Sequence, residues 1–110
     1  MRESNAYHKF MGYGQKASGT GFETLQFPIW FNYYEKGQTQ QASNMFKGLV
    51  FEASSSLLIT EDKKGLVSND RIYIEGSPAL ITKIHTTEKQ TLSGGRWKTR
   101  KKIYIIELEV

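Results

Sequence analysis

Hydrophobic and polar residues alternate along residues 25–34 of the chain. The odd positions of this segment carry apolar or aromatic side chains: Leu25, Phe27, Ile29, Phe31 and Tyr33. A period of two with many aromatic residues is the pattern of a β-strand. Pro28 cannot donate a backbone hydrogen bond, so we expect this strand to lie at a sheet edge or to bulge there. Trp30 and Tyr34 make the second face apolar too, which predicts a further surface packed against it.

Similar patterns predict several short strands in the rest of the chain. They cover residues 49–52, 56–60, 71–75, 79–84 and 97–110. Residues 76–78 are predicted to form a three-residue hairpin loop, and the polar segments 35–46 and 85–96 are predicted to be long loops. No segment has the 3.6-residue period of a long helix. The pattern therefore predicts a mostly β fold, either a small β-barrel or a sandwich of about five or six strands.

The first 24 residues differ from the rest because glycines recur among them, at Gly12, Gly14, Gly19 and Gly21. Glycine loses more backbone freedom on folding than other residues, so this spacing disfavours a regular element. We expect a flexible N-terminal arm over residues 1–24 and a single β domain over residues 25–110. Aromatic residues between the glycines indicate that the arm packs on its own domain or docks on a neighbouring subunit. Candidate subunit-contact residues are Tyr7, Phe10, Tyr13, Phe22, Trp30 and Tyr34.

Composition changes this picture in two ways. Hydrophobic residues make up 38% of the 110 residues, below the usual 45–50% of a globular domain. Part of the chain is therefore expected to lie outside the core or to become ordered on a partner. The absence of cysteine removes disulfides, thiolate catalysis and cysteine-ligated zinc. No apolar run approaches the roughly 20 residues that cross a bilayer, so we expect an intracellular soluble protein.

Residues that could perform catalysis do not form a recognisable motif. His8 and His85 lie far apart in the sequence, and neither has a carboxylate or cysteine at metal-ligand spacing. Asp62 and Asp70 lie in turn contexts, where aspartate commonly bonds to nearby backbone. The glycines form no phosphate-binding loop, and Ser54 and its neighbours form no nucleophile elbow. The sequence therefore predicts a protein that is not an enzyme and that uses no cofactor or metal.

The clearest charged feature is a basic strip in a chain of net charge +4. Its members are Arg96, Trp97, Lys98, Arg100 and Lys101. On a regular strand, Arg96, Lys98 and Arg100 would all point the same way. Three interpretations stay open: a solvated hairpin, a contact with an acidic protein partner, or nucleic-acid binding through phosphates and base stacking.

Residues 68–84, SNDRIYIEGSPALITKI, followed by the closing segment KKIYIIELEV, resemble the late segment of small head–tail connector proteins of tailed bacteriophages. The matching positions are Asp70, Arg71, Ile72, Gly76, Ile81 and Ile84, and the resemblance covers residues 50–110. It implies a structural β-barrel subunit of adaptor or stopper type. Such subunits form a homo-oligomeric ring that joins the portal to the tail and lets DNA pass.

The resemblance also implies where the protein works and what it contacts. The expected partners are further copies of the chain, the neighbouring portal or adaptor and tail proteins, and transiently the packaged DNA. The expected location is the host cytoplasm during assembly and then the neck of the virion. The residues themselves leave a second hypothesis, a small nucleic-acid-binding β-barrel that uses the strip around Trp97.

Overall fold

A computed structural model describes residues 10–38, 46, 48–93 and 96–109, and for residues 89–93 and 96–100 it describes the backbone only. The described residues form eight β-strands and no helix. The strands are β1 (Phe10–Gly12), β2 (Gly14–Ser18), β3 (Gly21–Thr24), β4 (Ile29–Tyr34), β5 (Ser56–Thr60), β6 (Arg71–Ile74), β7 (Ser77–Ser93) and β8 (Arg96–Glu109). The prediction of a mostly β fold is confirmed, whereas the predicted number of five or six strands is wrong.

All eight strands belong to one curled antiparallel sheet. Its strand order is β1-β4-β5-β8-β7-β6-β2-β3. The chain nevertheless passes from β1 to β2 through the single residue Tyr13. Since β1 and β2 lie towards opposite ends of this order, the sheet must curl until those ends approach each other. A hydrogen bond from the Tyr73 backbone N–H to the Tyr13 carbonyl oxygen, 3.0 Å long, joins β6 to this junction.

Two glycines make this close approach possible. A Cβ atom added to Gly12 would lie 2.4 Å from the backbone oxygen of Tyr73, and one added to Gly14 would lie 2.6 Å from Cδ1 of Leu66. These positions therefore need glycine for space. The structure differs here from the expected arm: residues 10–12, 14–18 and 21–24 are strands of the sheet. Residues 1–9 lie outside the described residues.

Three local expectations also change. β4 lies between β1 and β5, so the predicted edge strand is wrong; Pro28 precedes the strand and leaves its ladder intact. The loop between β6 and β7 has two residues rather than three, Glu75 and Gly76, with φ of 51° and 85°. Two positive φ values fit the twist of a tight hairpin. Within the segment 85–96, predicted as a loop, residues 85–93 belong to β7 and Arg96 begins β8, because the two strands pair there.

The apolar side chains form two clusters on opposite faces of the sheet. The cluster inside the curl comprises Ile29, Phe31, Leu58, Leu66, Ile72, Ala79, Ile81, Ile106 and Leu108. The cluster on the outer face comprises Phe51, Leu57, Ile59 and Ile105, with Phe46 and Leu49 packed against it. Residues 49–52, predicted as a strand, instead form a non-strand segment over this outer face. All five residues of β5 are buried as a result.

β7 and β8 extend well beyond the curled body. They pair from Leu80 opposite Glu109 to Ser93 opposite Arg96, whereas β5 covers β8 only as far as Thr60 opposite Tyr104. From Tyr104 back to Arg96, β8 therefore pairs with β7 alone. The two strands form a two-stranded ribbon there, with no third strand among the described residues. The nine residues from Arg96 to Tyr104 correspond to about 26 Å of extended chain.

Replacing Gly12 by alanine is expected to destabilise the protein by about 1–3 kcal/mol, because the new methyl group must displace the β6 backbone. Gly21→Ala is the matched control, since no atom lies within 4 Å of its added Cβ. Its free energy of unfolding should stay within about 0.5 kcal/mol of wild type. Urea unfolding of the three proteins measures both values, and equal stability of the two variants would contradict the closure described here.

Candidate functional site

Asp70 is a buried carboxylate that could have been a catalytic group. Its Oδ2 accepts hydrogen bonds from Lys16 Nζ at 2.7 Å and from the Val67 N–H at 2.9 Å, and its Oδ1 accepts one from the Ala17 N–H at 2.8 Å. Desolvation acts to raise the pKa of Asp70, but the bonds from Ala17, Lys16 and Val67 outweigh it and leave this pKa lowered. Asp70 therefore ties β2 to the turn before β6.

Glu107 is the second buried carboxylate, and it lies on the outer face of β8. Its Oε1 accepts a hydrogen bond from the Glu52 N–H at 3.0 Å, and its Oε2 lies 2.5 Å from His85 Nε2. The His85 ring meets the Phe51 ring edge-on, with centroids 4.9 Å apart. Glu107 and His85 therefore hold the segment around Phe51 against the outer cluster. Within the described part of the chain, no three His, Asp or Glu side chains group as metal ligands.

The solvent-exposed surface of the protein, by contrast, carries many large apolar side chains. Those exposed are Phe10, Met11, Tyr13, Phe22, Phe27, Trp30, Val50 and Val67. Met11 of β1 and Trp30 of β4 are direct cross-strand partners, so they share one face of the sheet. Met11 is 47% exposed and Trp30 is 45% exposed. Soluble monomers rarely leave clustered side chains of this kind in contact with water.

The candidate subunit-contact residues have different environments. Phe10, Tyr13, Phe22 and Trp30 are exposed. Phe10 also stacks on Phe31, with centroids 6.1 Å apart, and Phe22 lies beneath the Arg71 guanidinium at 3.7 Å. Tyr34 is only partly exposed, because it packs against the outer cluster. Tyr7 lies outside the described residues.

Four of these exposed residues were not among those candidates: Met11, Phe27, Val50 and Val67. Met11 directly faces Trp30, and Phe27 is 62% exposed although the alternation placed it with the buried residues of its strand. The signal that could have found Phe27 is Pro28, which follows it and marks the true start of β4 at Ile29.

An open groove, which we call the Trp30 groove, adjoins this surface between the turn before β4 and the turn after β5. Its volume is about 350 Å³. Its apolar wall comprises Phe27, Pro28 and Trp30, and its polar wall comprises Thr60, Glu61, Asp62 and Lys64. A hydrogen bond of 2.8 Å from Thr60 Oγ1 to the Trp30 carbonyl oxygen connects the two walls.

The carboxylates of the groove form only surface ion pairs. Lys64 Nζ lies 3.1 Å from Asp62 Oδ2, and Lys101 Nζ lies 3.6 Å from Glu61 Oε1. The pKa of Asp62 is lowered chiefly by the hydrogen bond that its carboxylate accepts from the Lys64 backbone N–H. Exposed pairs of this kind contribute little stability, and the groove thus combines weakly paired carboxylates with aromatic side chains.

The basic strip lies on the β8 side of the ribbon. Register shifts between Thr91 opposite Thr99 and Leu92 opposite Trp97, which leaves Lys98 as an extra residue. This bulge interrupts the regular pairing of β7 and β8 within the basic strip. The side chains of residues 96–100 lie outside the description, whereas Lys101 is exposed and pairs with Glu61.

No protein-family model, curated protein or solved structure matches this chain. None of the described segments forms a helix long and apolar enough to cross a membrane.

Asp70→Asn is expected to lower the free energy of unfolding by about 2–3 kcal/mol at neutral pH, because it removes a charge that accepts three hydrogen bonds. The folded pKa is below the unfolded value of about 3.9. The stabilisation is therefore complete above the unfolded pKa and disappears as pH falls through the folded pKa.

Urea unfolding between neutral pH and about pH 3 should thus show the difference between wild type and Asp70→Asn shrinking below about pH 4. Asp62→Asn is the matched control, since its side chain is 67% exposed, and its effect should be much smaller. A difference for Asp70→Asn that stays constant with pH would contradict this assignment.

Proposed function

We propose that this protein is a structural assembly subunit that contacts further copies of itself through its exposed aromatic surface. The observation that carries the proposal is the Met11–Trp30 pair, solvent-exposed on neighbouring strands and flanked by the groove that Phe27 lines. Aromatic residues and methionine are enriched at the cores of protein interfaces. Large side chains in such patches supply most of the binding free energy. Nothing in this function requires catalysis, a cofactor or a metal.

The class of assembly that we propose is the head–tail connector ring of a tailed bacteriophage, with adaptor or stopper as the role. Its support is the resemblance of residues 50–110, together with a small curled β-sheet and a projecting ribbon that suit a subunit of a ring. The corresponding partners would be the portal or adaptor protein, tail proteins and, transiently, DNA. The corresponding location would be the host cytoplasm and then the virion neck.

A second candidate function is nucleic-acid binding by the ribbon. The observation that favours it is the two-stranded extension past Tyr104, which holds Arg96, Lys98 and Arg100 away from the body. Basic residues beside a tryptophan can bind a single strand through phosphates and stacking. If the protein binds nucleic acid in this way, the exposed aromatic surface has no direct role in that binding.

Self-association is expected to weaken at least about tenfold in the double variant Met11→Ser/Trp30→Ser, since both changes remove apolar area from the centre of the surface. Analytical ultracentrifugation over a wide concentration range measures the dissociation constant. Val67→Ser is the control, because Val67 is 50% exposed but lies in the turn between β5 and β6. A wild-type protein that stays monomeric at every concentration would contradict the proposed self-assembly.

For the second function, wild type should bind a fluorescent single-stranded oligonucleotide at low salt, with affinity that falls as salt increases. Replacing Arg96, Lys98 and Arg100 by alanine should weaken this binding and reduce its salt dependence. Fluorescence anisotropy measures both effects. An absence of binding at low salt would remove this candidate.

A further inference from the structure

The Trp30 groove has the chemistry of a site for a cationic side chain. Trp30 is 45% exposed, and Glu61 and Asp62 line the same groove. An arginine or lysine there can place its charge over the aromatic face and bond to a carboxylate at the same time. The carbon chain of such a residue also suits the apolar contact that Phe27 and Pro28 offer.

The cations already beside the groove leave room for another. Lys101 approaches Glu61 only to 3.6 Å, which is longer than a normal hydrogen bond. Lys64 and Asp62 pair at 3.1 Å with side chains 37% and 67% exposed. Since exposed pairs contribute little, an arriving cation can replace one at small cost.

The chain itself carries a suitable cationic segment at the far end of the ribbon. Five of the seven residues in 96–102 are lysine or arginine. The end of this segment at Arg96 lies beyond the groove of its own chain. Lys101 is already beside Glu61, and Arg96 lies five residues further along the same extended strand, roughly 17 Å away from the body.

We propose that the Trp30 groove receives the basic ribbon tip, residues 96–100, of a second copy of this chain. This inference rests on the proposed self-assembly and names its contact. The groove and the ribbon are different surfaces, so each copy offers one of each. A contact of this head-to-tail kind propagates from copy to copy and closes into a ring when the rotation allows it.

Two variants test the contact, one on each side. Glu61→Lys reverses a charge of the groove, and Arg96→Glu/Arg100→Glu reverses the ribbon tip. Each alone should raise the dissociation constant for self-association at least about tenfold, since like charges across an interface repel. Glu75→Lys is the matched control for Glu61→Lys, because it makes the same charge change elsewhere. Glu75 lies in the turn before β7, whereas the ribbon tip lies at the other end of that strand.

Mixing the two variants gives the sharpest outcome. The intact ribbon of the groove variant can bind the intact groove of the ribbon variant, and the reversed ribbon meets the reversed groove as opposite charges, so both contacts between the two variants are attractive. Native mass spectrometry of the mixture should show a one-to-one mixed dimer and larger oligomers of equal composition, while each variant alone associates at least about tenfold more weakly than wild type. Neither a misfolded variant nor a general loss of solubility would produce that dimer.

The contrary outcomes are distinguishable. If wild type assembles and both variants assemble equally well, this contact is overturned while self-assembly stands. If the ribbon variant loses oligonucleotide binding but still self-associates like wild type, the ribbon serves nucleic acid and the inference is wrong. If wild type never self-associates, the inference and the proposed self-assembly both fail.

Discussion

At Tyr13 the chain leaves one end of the sheet and joins the other, and the backbone must pass close to β6 to do so. The 2.4 Å that would separate a Gly12 Cβ from the Tyr73 oxygen shows how little space remains. β1 pairs with β4 and β2 pairs with β6, although β1 and β2 follow each other directly in the chain. This is possible only because the two ends of the sheet approach each other. The curl of the sheet, and therefore the enclosure of the inner cluster, depends on it.

The curl also determines what the two buried carboxylates do. Asp70 accepts bonds from Ala17 and Lys16 of β2, and so fixes the turn that carries Leu66 into the inner cluster. Glu107 holds the Glu52 backbone, so the segment around Phe51 covers the outer face of β5. Burying a carboxylate is unfavourable unless hydrogen bonds compensate for lost water. Both groups are compensated by backbone and side-chain partners, which gives them structural roles.

Closing the sheet in this way leaves aromatic side chains outside it. Met11 and Trp30 face water because β1 and β4 place them on the convex face, while Ile29 and Phe31 fill the interior. The ribbon of β7 and β8 extends past the body and carries six of the fifteen lysine and arginine residues. An apolar surface, a carboxylate-lined groove and a basic extension on one small domain are features suited to assembly.

Alternation in the sequence was sufficient to predict strands near residues 29–34, 56–60, 71–74 and 103–109, because period two is a local property of the chain. Aromatic residues between the glycines pointed to Phe10, Tyr13 and Phe22, and the apolar second face of residues 25–34 pointed to Trp30; all four are exposed in the fold. Alternation could not assign Gly12 and Gly14, whose need for glycine arises from Tyr73 and Leu66 far along the chain. The Trp30 groove likewise joins residues 27–30 to residues 60–64. Only the tertiary structure decides such features, because they depend on which distant backbones approach each other.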